Sequence, residues 1–324
     1  MHTLEQLQKR AIEIIDAQNY LAEPLSLYEP IDYGMRQGGK RIRPLLCLIA
    51  AELCGGEREK AEPAAVAVEM LHNFTLLHDD IMDCSPLRRG KPTVFRKYDQ
   101  NKAILSGDAM FACAFKYLLQ CDKEVIPQLT ETLTRGAIEV CEGQGFDMDF
   151  ENRQTVSTDE YLQMIKLKTG VLLSTALQLG AITAKADEKT LNLLDTFGKY
   201  IGIAFQIKDD MLDCWSDLDT FGKVCGADII DRKKTFLYIT ALESATQTQR
   251  QELLSLYENT TLDKDEKIQK VRAIYEQLSV AQKAQKAVEE YNSKAFEALE
   301  QIEVAPQRKA TLIEVAKKLI NRNK

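Results

Sequence analysis

An apolar run that begins at Val66 ends in three carboxylates, Asp79, Asp80 and Asp83, and a second apolar run ends the same way in Asp209, Asp210 and Asp213. Read as helix, Asp79 and Asp83 share a face because they stand four residues apart, and His72 and Thr75 lie on that face too. Ser85-Pro86 breaks the pattern just beyond. Carboxylates crowded into the last turn of a helix repel one another and meet the negative end of its dipole. Divalent cations reverse that balance, since magnesium takes carboxylate and phosphate oxygens alike. One D-D-x-x-D is weak evidence, because acidic runs on solvated helix faces are common. Two of them, each in an otherwise apolar helix, imply packed helices, and packed carboxylates need partners. The competing reading is two unrelated acidic surface patches.

The rest of the chain follows the same helical pattern. Short alternating runs bounded by turns, the mark of strands, are almost absent. Helices are predicted over 4–19, in the short element punctuated by Pro24 and Pro30, in the apolar stretch after Pro44 that Gly55-Gly56 ends, and from near Pro63 into the first acidic motif. Further helices cover 101–121, 125–151, 171–185 and 189–213. Ser157 with Glu160 has capping-box spacing and opens a helix that reaches Lys168-Thr169-Gly170. Residues 236–322 read as more helices, one opened by Asp263 with Glu266, and their higher charge puts them at the periphery. There is no solenoid repeat, low-complexity tract or evident linker. The prediction is an all-α fold: a single domain over 1–324, a helical bundle around a central cavity.

Charge and cysteine usage narrow the functional classes. A net charge of -7 with no basic arm argues against a nucleic-acid partner. The first ten residues lack the apolar segment of a signal peptide, and no run of eighteen apolar residues exists. No membrane insertion and a cytoplasmic location are expected. The eight cysteines form no C-x-x-C pair and read as buried free thiols of a reducing compartment. Cys84 and Cys214 each follow the last Asp of a motif directly. His72 and His78, six residues apart, fall on different faces, so zinc is unsupported.

Basic residues complete the pattern. Lys40, Arg43 and Arg89 make one group; Arg88, Lys168, Lys223 and Lys233 make another. Any one of them is as readily a structural ion pair as a ligand. Loop settings and the Gly38-Gly39 pair favour anion binding, because glycines let backbone N–H groups approach a phosphate and arginines grip it bidentately. Metals and cations in one cavity suit a diphosphate. No Walker G-x-x-x-x-G-K-[ST] occurs, which excludes a P-loop enzyme at the level of motifs.

Taken in order, these segments resemble the trans-isoprenyl diphosphate synthases along nearly the whole chain. They are G-G-K-R-I-R-P at 38–44, L-L-H-D-D-I-M-D at 76–83, L-R-R-G-K-P-T at 87–93, G-Q-G at 143–145, K-T-G at 168–170, F-Q-I-K-D-D-M-L-D at 205–213, G-K at 222–223 and D-I-I-D-R-K-K-T at 228–235. The resemblance implies a short-chain, magnesium-dependent prenyltransferase, with three magnesium ions per site when substrate is bound. Asp79, Asp83 and Asp209 would bridge metal to an allylic diphosphate, with Asp80, Asp210 and Asp213 supporting them. Arg88, Lys168, Lys223 and Lys233 would bind the same diphosphate, and isopentenyl diphosphate would sit on Lys40, Arg43, His72 and Arg89. The Lys168 carbonyl, Thr169 and Gln206 would stabilise the allylic cation, with Gln144 and Asp147 helping to hold the site. A homodimer is the family expectation, through the helix at 101–121.

The same resemblance bears on product length. Phe74 lies five residues before Asp79, about 7.5 Å deeper along a helix. Spacing alone makes it an ordinary core residue; in the family an aromatic here limits the product. The first motif is uninterrupted and Thr75 follows Phe74, which resembles a geranylgeranyl synthase, with a farnesyl synthase close behind. A longer-chain synthase (octaprenyl, for example), a class I terpene cyclase and a catalytically silent partner subunit are the alternatives. The cyclase would lack the 38–44 segment, and a silent subunit typically loses carboxylates. Arg232, where the family often has Gly, and Cys84 depart from the pattern.

Overall fold

The structure is a computed structural model and describes residues 2–215 and 226–320. Along the chain it forms α1 (Leu4–Asp16), α2 (Leu25–Met35), α3 (Ile42–Leu53) and α4 (Arg58–Met82), then β1 (Leu87–Arg88) and β2 (Lys91–Pro92). There follow α5 (Val94–Lys97), α6 (Gln100–Leu118), α7 (Ile126–Asn152), α8 (Thr158–Ile165), a π-helical turn (Lys166–Gly170), α9 (Val171–Thr183) and α10 (Glu188–Trp215). After them come α11 (Ala227–Ile230), α12 (Phe236–Ser244), α13 (Gln247–Glu258), α14 (Lys264–Gln277), α15 (Val280–Glu300) and α16 (Pro306–Ile320). The all-α reading holds: the sheet found among the described residues is one antiparallel hairpin of two-residue strands. Among these residues no helix is long and apolar enough to cross a membrane.

The contacts divide the chain into two compact units. The first holds Met1–Ala137, Leu172–Asp195 and Gln301–Val315; the second holds Ile138–Val171, Thr196–Glu300 and Ala316–Lys324. In the first unit α3 is buried from Pro44 to Leu53 and α4 from Ala64 to Leu71, all round rather than on one stripe, as a central helix must be. Small residues permit this. A Cβ added at Gly180 of α9 would overlap the Cys47 carbonyl of α3, and one at Gly107 of α6 would overlap the His78 ring of α4. Gly55 stops α3 as predicted. At φ +85° its N–H donates to Glu52 O at 3.0 Å while Gly56 N–H donates to Ala51 O at 2.9 Å, a Schellman end. Pro63 sits inside α4, which begins at Arg58 rather than beside the proline.

In the second unit α8 opens with the predicted capping box: Ser157 Oγ accepts from Glu160 N, and the Glu160 side chain accepts from Ser157 N. The helix does not run on to Gly170 as α-helix but ends at Ile165 in the π turn. Asp263 caps α14 as expected. One expectation fails here. Residues 236–242 are not peripheral: Phe236, Leu237, Tyr238, Ile239, Thr240, Ala241 and Leu242 are all buried, because α12 is apolar on every side while the charge of the C-terminal third lies on α13–α16. The cysteine reading also holds only in part. Cys47, Cys121 and Cys214 are buried, but Cys84 and Cys141 are exposed; Cys225 lies outside the described residues.

Candidate active site

In the first unit α4 carries the first acidic motif to its end. Asp80 is 3% exposed and turned inward, Asp79 is half-buried, and Asp83, the C-cap, is exposed. Cys84 closes the helix in a left-handed conformation (φ +51°): its N–H donates to Ile81 O at 3.2 Å, and Ser85 N–H donates to Asp80 O at 3.0 Å. That is again a Schellman end, with a cysteine in the place glycine favours.

The hairpin follows at once. Arg89 (φ +54°) and Gly90 (φ +74°) are its two turn residues, and positive φ at both is the signature of a type I′ turn. The turn sends its two arginines to different partners. Arg88 Nε donates to Asp80 Oδ1 at 2.8 Å, and its Nη2 to Asp79 Oδ2 at 3.4 Å. The guanidinium of Arg89 lies on the Gly38-Gly39 backbone, where Nη1 donates to Gly38 O. Gly39 adopts φ +122°, a conformation that favours glycine, and a Cβ there would stand 2.6 Å from Arg89 Cζ, so a side chain would also displace the guanidinium.

Arg43 Nη1 lies 3.0 Å from His72 Nε2. A guanidinium has only donors, so Nε2 accepts and His72 is the neutral tautomer with its proton on Nδ1. Burial, followed by the charges of Arg43 and Arg89, pushes the His72 pKa well below the usual imidazole value. Burial likewise pulls Arg43 down to about 10, although Glu69 opposes it. The Arg43 Nε is buried without a hydrogen-bond acceptor, an orphan donor that an anion would satisfy. Lys40, three residues before Arg43 in the chain, is exposed. Phe74 is half-buried and packs edge-to-face on His78 (centroids 4.8 Å apart) and on Phe111 of α6 (5.3 Å), which in turn packs on Phe115 (5.3 Å).

The second unit repeats the arrangement with different partners. Asp210 is 3% exposed and accepts three bonds, from Tyr161 Oη (2.6 Å), Gln206 Nε2 (3.2 Å) and Phe236 N (3.1 Å). Burial, then the charge of Asp228, holds its pKa well above the carboxylate range. Asp213 Oδ2 accepts from Asp228 N at 3.1 Å, and its carbonyl from Gly226 N at 2.7 Å. Asp209 is half-buried. Thr169 Oγ1 donates to Gln206 Oε1 at 3.1 Å, so the two predicted cation stabilisers are joined to each other and, through Gln206, to Asp210.

Lys168 Nζ is paired with Asp147 Oδ2 at 2.6 Å. Lys168 and Thr169 sit in the π turn, an insertion that recurs at functional sites. Glycines fit that turn among its neighbours: a Cβ at Gly143 would overlap the Lys168 backbone, and one at Gly202 would overlap Gly170. Arg232 (φ +58°) ends α11 in a third left-handed Schellman closure, its N–H donating to Ile229 O at 3.3 Å and that of Lys233 to Asp228 O at 2.9 Å. Lys233 is exposed; Lys234, not singled out in the sequence, donates to the last carbonyls of α7, Phe150 O (2.6 Å) and Glu151 O (3.1 Å). Lys223 lies outside the described residues.

The donor set fits magnesium. In each motif the middle carboxylate is buried and engaged by its own unit, while Asp79, Asp83 and Asp209 retain exposure. Among the described residues no three His, Cys, Asp or Glu side chains make a ready metal cage. Magnesium asks for none, since it binds through one or two carboxylates with phosphate and water completing its shell. Tyr161, Phe236 N and Asp228 were missing from the predicted site. Tyr161 lies 49 residues from Asp210, and no local pattern announces such a contact.

A family model described as polyprenyl synthetase matches residues 24–278. The chain is 39% identical over 252 residues to a geranylgeranyl diphosphate synthase of Methanosarcina mazei, covering 76% of this chain and 78% of that one. It is 38% identical over 303 residues to a geranylgeranyl pyrophosphate synthase of Geoglobus acetivorans, covering 93% and 92%. Among solved structures, a crystal structure of a geranylgeranyl pyrophosphate synthase superposes with a TM-score of 0.95 at 43% identity, covering all of both chains.

Proposed function

This chain belongs to the polyprenyl synthetase family, and from that premise we propose that it condenses isopentenyl diphosphate with an allylic diphosphate to make geranylgeranyl diphosphate. It is a trans-prenyltransferase. The observation that supports the site assignment is that each acidic motif sets a buried middle carboxylate, anchored by its neighbours, beside a less buried one: Asp79 and Asp83 in the first motif and Asp209 in the second, where Asp213 is itself buried and bonded to Asp228 N.

Asp79, Asp83 and Asp209 would hold magnesium, three ions with substrate bound. When bound, the metal neutralises charge on the leaving diphosphate. Asp80, Asp210 and Asp213 support these three carboxylates. Arg88, Lys168, Lys223 and Lys233 add fixed positive charge where the departing oxygen develops negative charge. The allylic C–O bond breaks with its electron pair leaving on the diphosphate. Thr169 Oγ1, Gln206 Oε1 and the Lys168 carbonyl turn the negative ends of their dipoles to the allylic cation. The double bond of isopentenyl diphosphate, held on Lys40, Arg43, His72 and Arg89, supplies the electron pair of the new C–C bond. The proton lost from the isopentenyl unit goes to the released pyrophosphate, so no side chain is needed as base or nucleophile.

All six carboxylates are present, which argues against a silent subunit. The two units act as one domain in this reading, in a cytoplasmic homodimer joined through α6, where Ile104 and Leu105 are exposed. The test is incorporation of labelled isopentenyl diphosphate with farnesyl diphosphate and magnesium. The expected product is geranylgeranyl diphosphate, formation stops with EDTA, and turnover falls about 100-fold or more in Asp79→Ala and Asp209→Ala. No incorporation by the unsubstituted protein would reject the assignment.

A further inference from the structure

Arg41 stands between two of the assigned substrate cations, Lys40 and Arg43, yet its own side chain turns inward. It pairs through Nη1 with Glu69 Oε1 at 2.6 Å, and both side chains are 3% exposed. Its Nη2 donates to the carbonyl of Met35, the last residue of α2. Arg41 is also the residue before α3, in a left-handed conformation at φ +47°. One guanidinium thus joins the end of α2, the start of α3 and the middle of α4. Asn73, one turn beyond Glu69, donates to Glu69 O at 2.8 Å and to Glu69 Oε1 at 3.3 Å. Arg41, Glu69 and Asn73 are all too buried to touch a substrate. Apolar side chains of similar volume commonly stabilise a core as well as a buried ion pair does, so stability is a weak reason for charges here.

We propose that Arg41, Glu69 and Asn73 are positioning residues that hold the turn from Gly38 to Arg43 in the shape that brings Lys40, Arg43 and Arg89 onto one diphosphate. The backbone at Arg41 sets the directions in which the chain leaves toward Lys40 and Arg43, and left-handed geometry persists at a non-glycine residue only where its surroundings hold it. Arg89 is coupled to the same turn, because its guanidinium rests on Gly38 and Gly39. Glu69 also acts by its field. Burial and the neighbouring guanidinium charges disfavour the charged forms of Arg43 and Arg89, and Glu69 opposes this at both. Glu69 thus places a negative charge behind the two guanidinium groups, and a turn held in shape before an anion arrives needs less reorganisation on binding.

The inference rests on the assignment of Lys40, Arg43, His72 and Arg89 to isopentenyl diphosphate. It is tested by steady-state kinetics of the full chain, varying each substrate in turn, in E69Q, E69D and K40A. E69Q is expected to raise the KM for isopentenyl diphosphate about tenfold, with the KM for the allylic diphosphate changed less than about twofold. E69D keeps the charge but withdraws it by one carbon, and is expected to raise the isopentenyl KM about threefold. A purely structural role would lower the active fraction, and kcat with it, without separating the two KM values. Unchanged KM values, or equal changes in both, overturn the proposal; if E69Q fails to fold, E69D decides by the same criterion. K40A separates the two readings. A raised isopentenyl KM in K40A but not in the Glu69 variants rejects the positioning role and leaves the site standing. An unchanged isopentenyl KM in K40A removes the site and the positioning role together.

Discussion

Arg88 Nε donates to Asp80 Oδ1 at 2.8 Å, so the hairpin that follows the first acidic motif is anchored on the motif's own middle carboxylate. The Asp80 side chain is 4% exposed and that of Arg88 is 25% exposed, which leaves the arginine a route to water if its partner is removed. Asp80→Ala should therefore destabilise by about 2 kcal/mol, less than the 3–5 typical of breaking a fully buried pair. A cycle with Arg88→Met should give a coupling of about 1–2 kcal/mol, read from denaturant midpoints. Additive effects would show that the hairpin is held by other contacts.

Phe74 packs edge-to-face on Phe111, a contact between α4 and α6 five residues behind Asp79. If that ring limits the growing chain, Phe74→Ala should lengthen the product, seen by chromatography of the dephosphorylated alcohols. Half-buried, the ring should contribute about 2 kcal/mol of stability, below the range for a fully buried phenylalanine. Loss of stability with an unchanged product would make Phe74 an ordinary packing residue.

What could be read in the sequence was local. The Ser157 capping box, the Asp263 cap, the Gly55 stop, the helical phase of Asp79 and Asp83 and the apolar core of α3 all follow from residues within a turn or two of one another. The substrate assignments came from ordered motifs rather than from physics. What escaped was tertiary. The π turn at Lys166–Gly170 exists among close neighbours at Gly143 and Gly202, 23 residues before it and 32 after it by the nearest count. Asp210 is satisfied by Tyr161 and by the amide of Phe236, which sequence distance conceals. The hairpin is too short to show alternation, and its turn lacks the Asn-Gly or Asp-Gly signal. For α12, charge averaged over residues 236–322 hid an apolar helix at the start of the segment.

The two departures from the family pattern share one backbone property: Cys84 and Arg232 both close a helix in the left-handed region that glycine favours. Left-handed geometry costs a non-glycine residue about 1–2 kcal/mol, while glycine loses somewhat more chain entropy on folding. Cys84→Gly and Arg232→Gly should each raise stability by about 0.5–1 kcal/mol, measured as a higher thermal midpoint. Gly55→Ala is the converse. Its φ of +85° and the Arg308 guanidinium, 3.3 Å at Cζ from an added Cβ, should make it destabilising. Lower midpoints in both glycine variants would show that the cysteine and arginine side chains contribute more than the strain removes.

His72 supplies a pH dependence whose sign follows from its bond. Because Nε2 accepts from Arg43, protonation of the ring would set a donor against a donor in a buried cluster of positive charge. The folded pKa is therefore depressed, while the unfolded chain takes up its proton near the ordinary value of about 6.5. Below that pH the unfolded state binds one more proton than the folded state, so stability falls as the solution is acidified, by about 1.4 kcal/mol per pH unit at the limit. Above it both states are neutral at His72 and the contribution vanishes. Between about pH 7 and pH 5.5 the protein should lose on the order of 1 kcal/mol more than His72→Gln, which keeps an acceptor for Arg43 but does not titrate. Carboxylates common to both proteins cancel in that difference. Equal slopes in the two would mean that His72 takes up its proton in the folded state as readily as in the unfolded chain, and that Arg43 finds another acceptor.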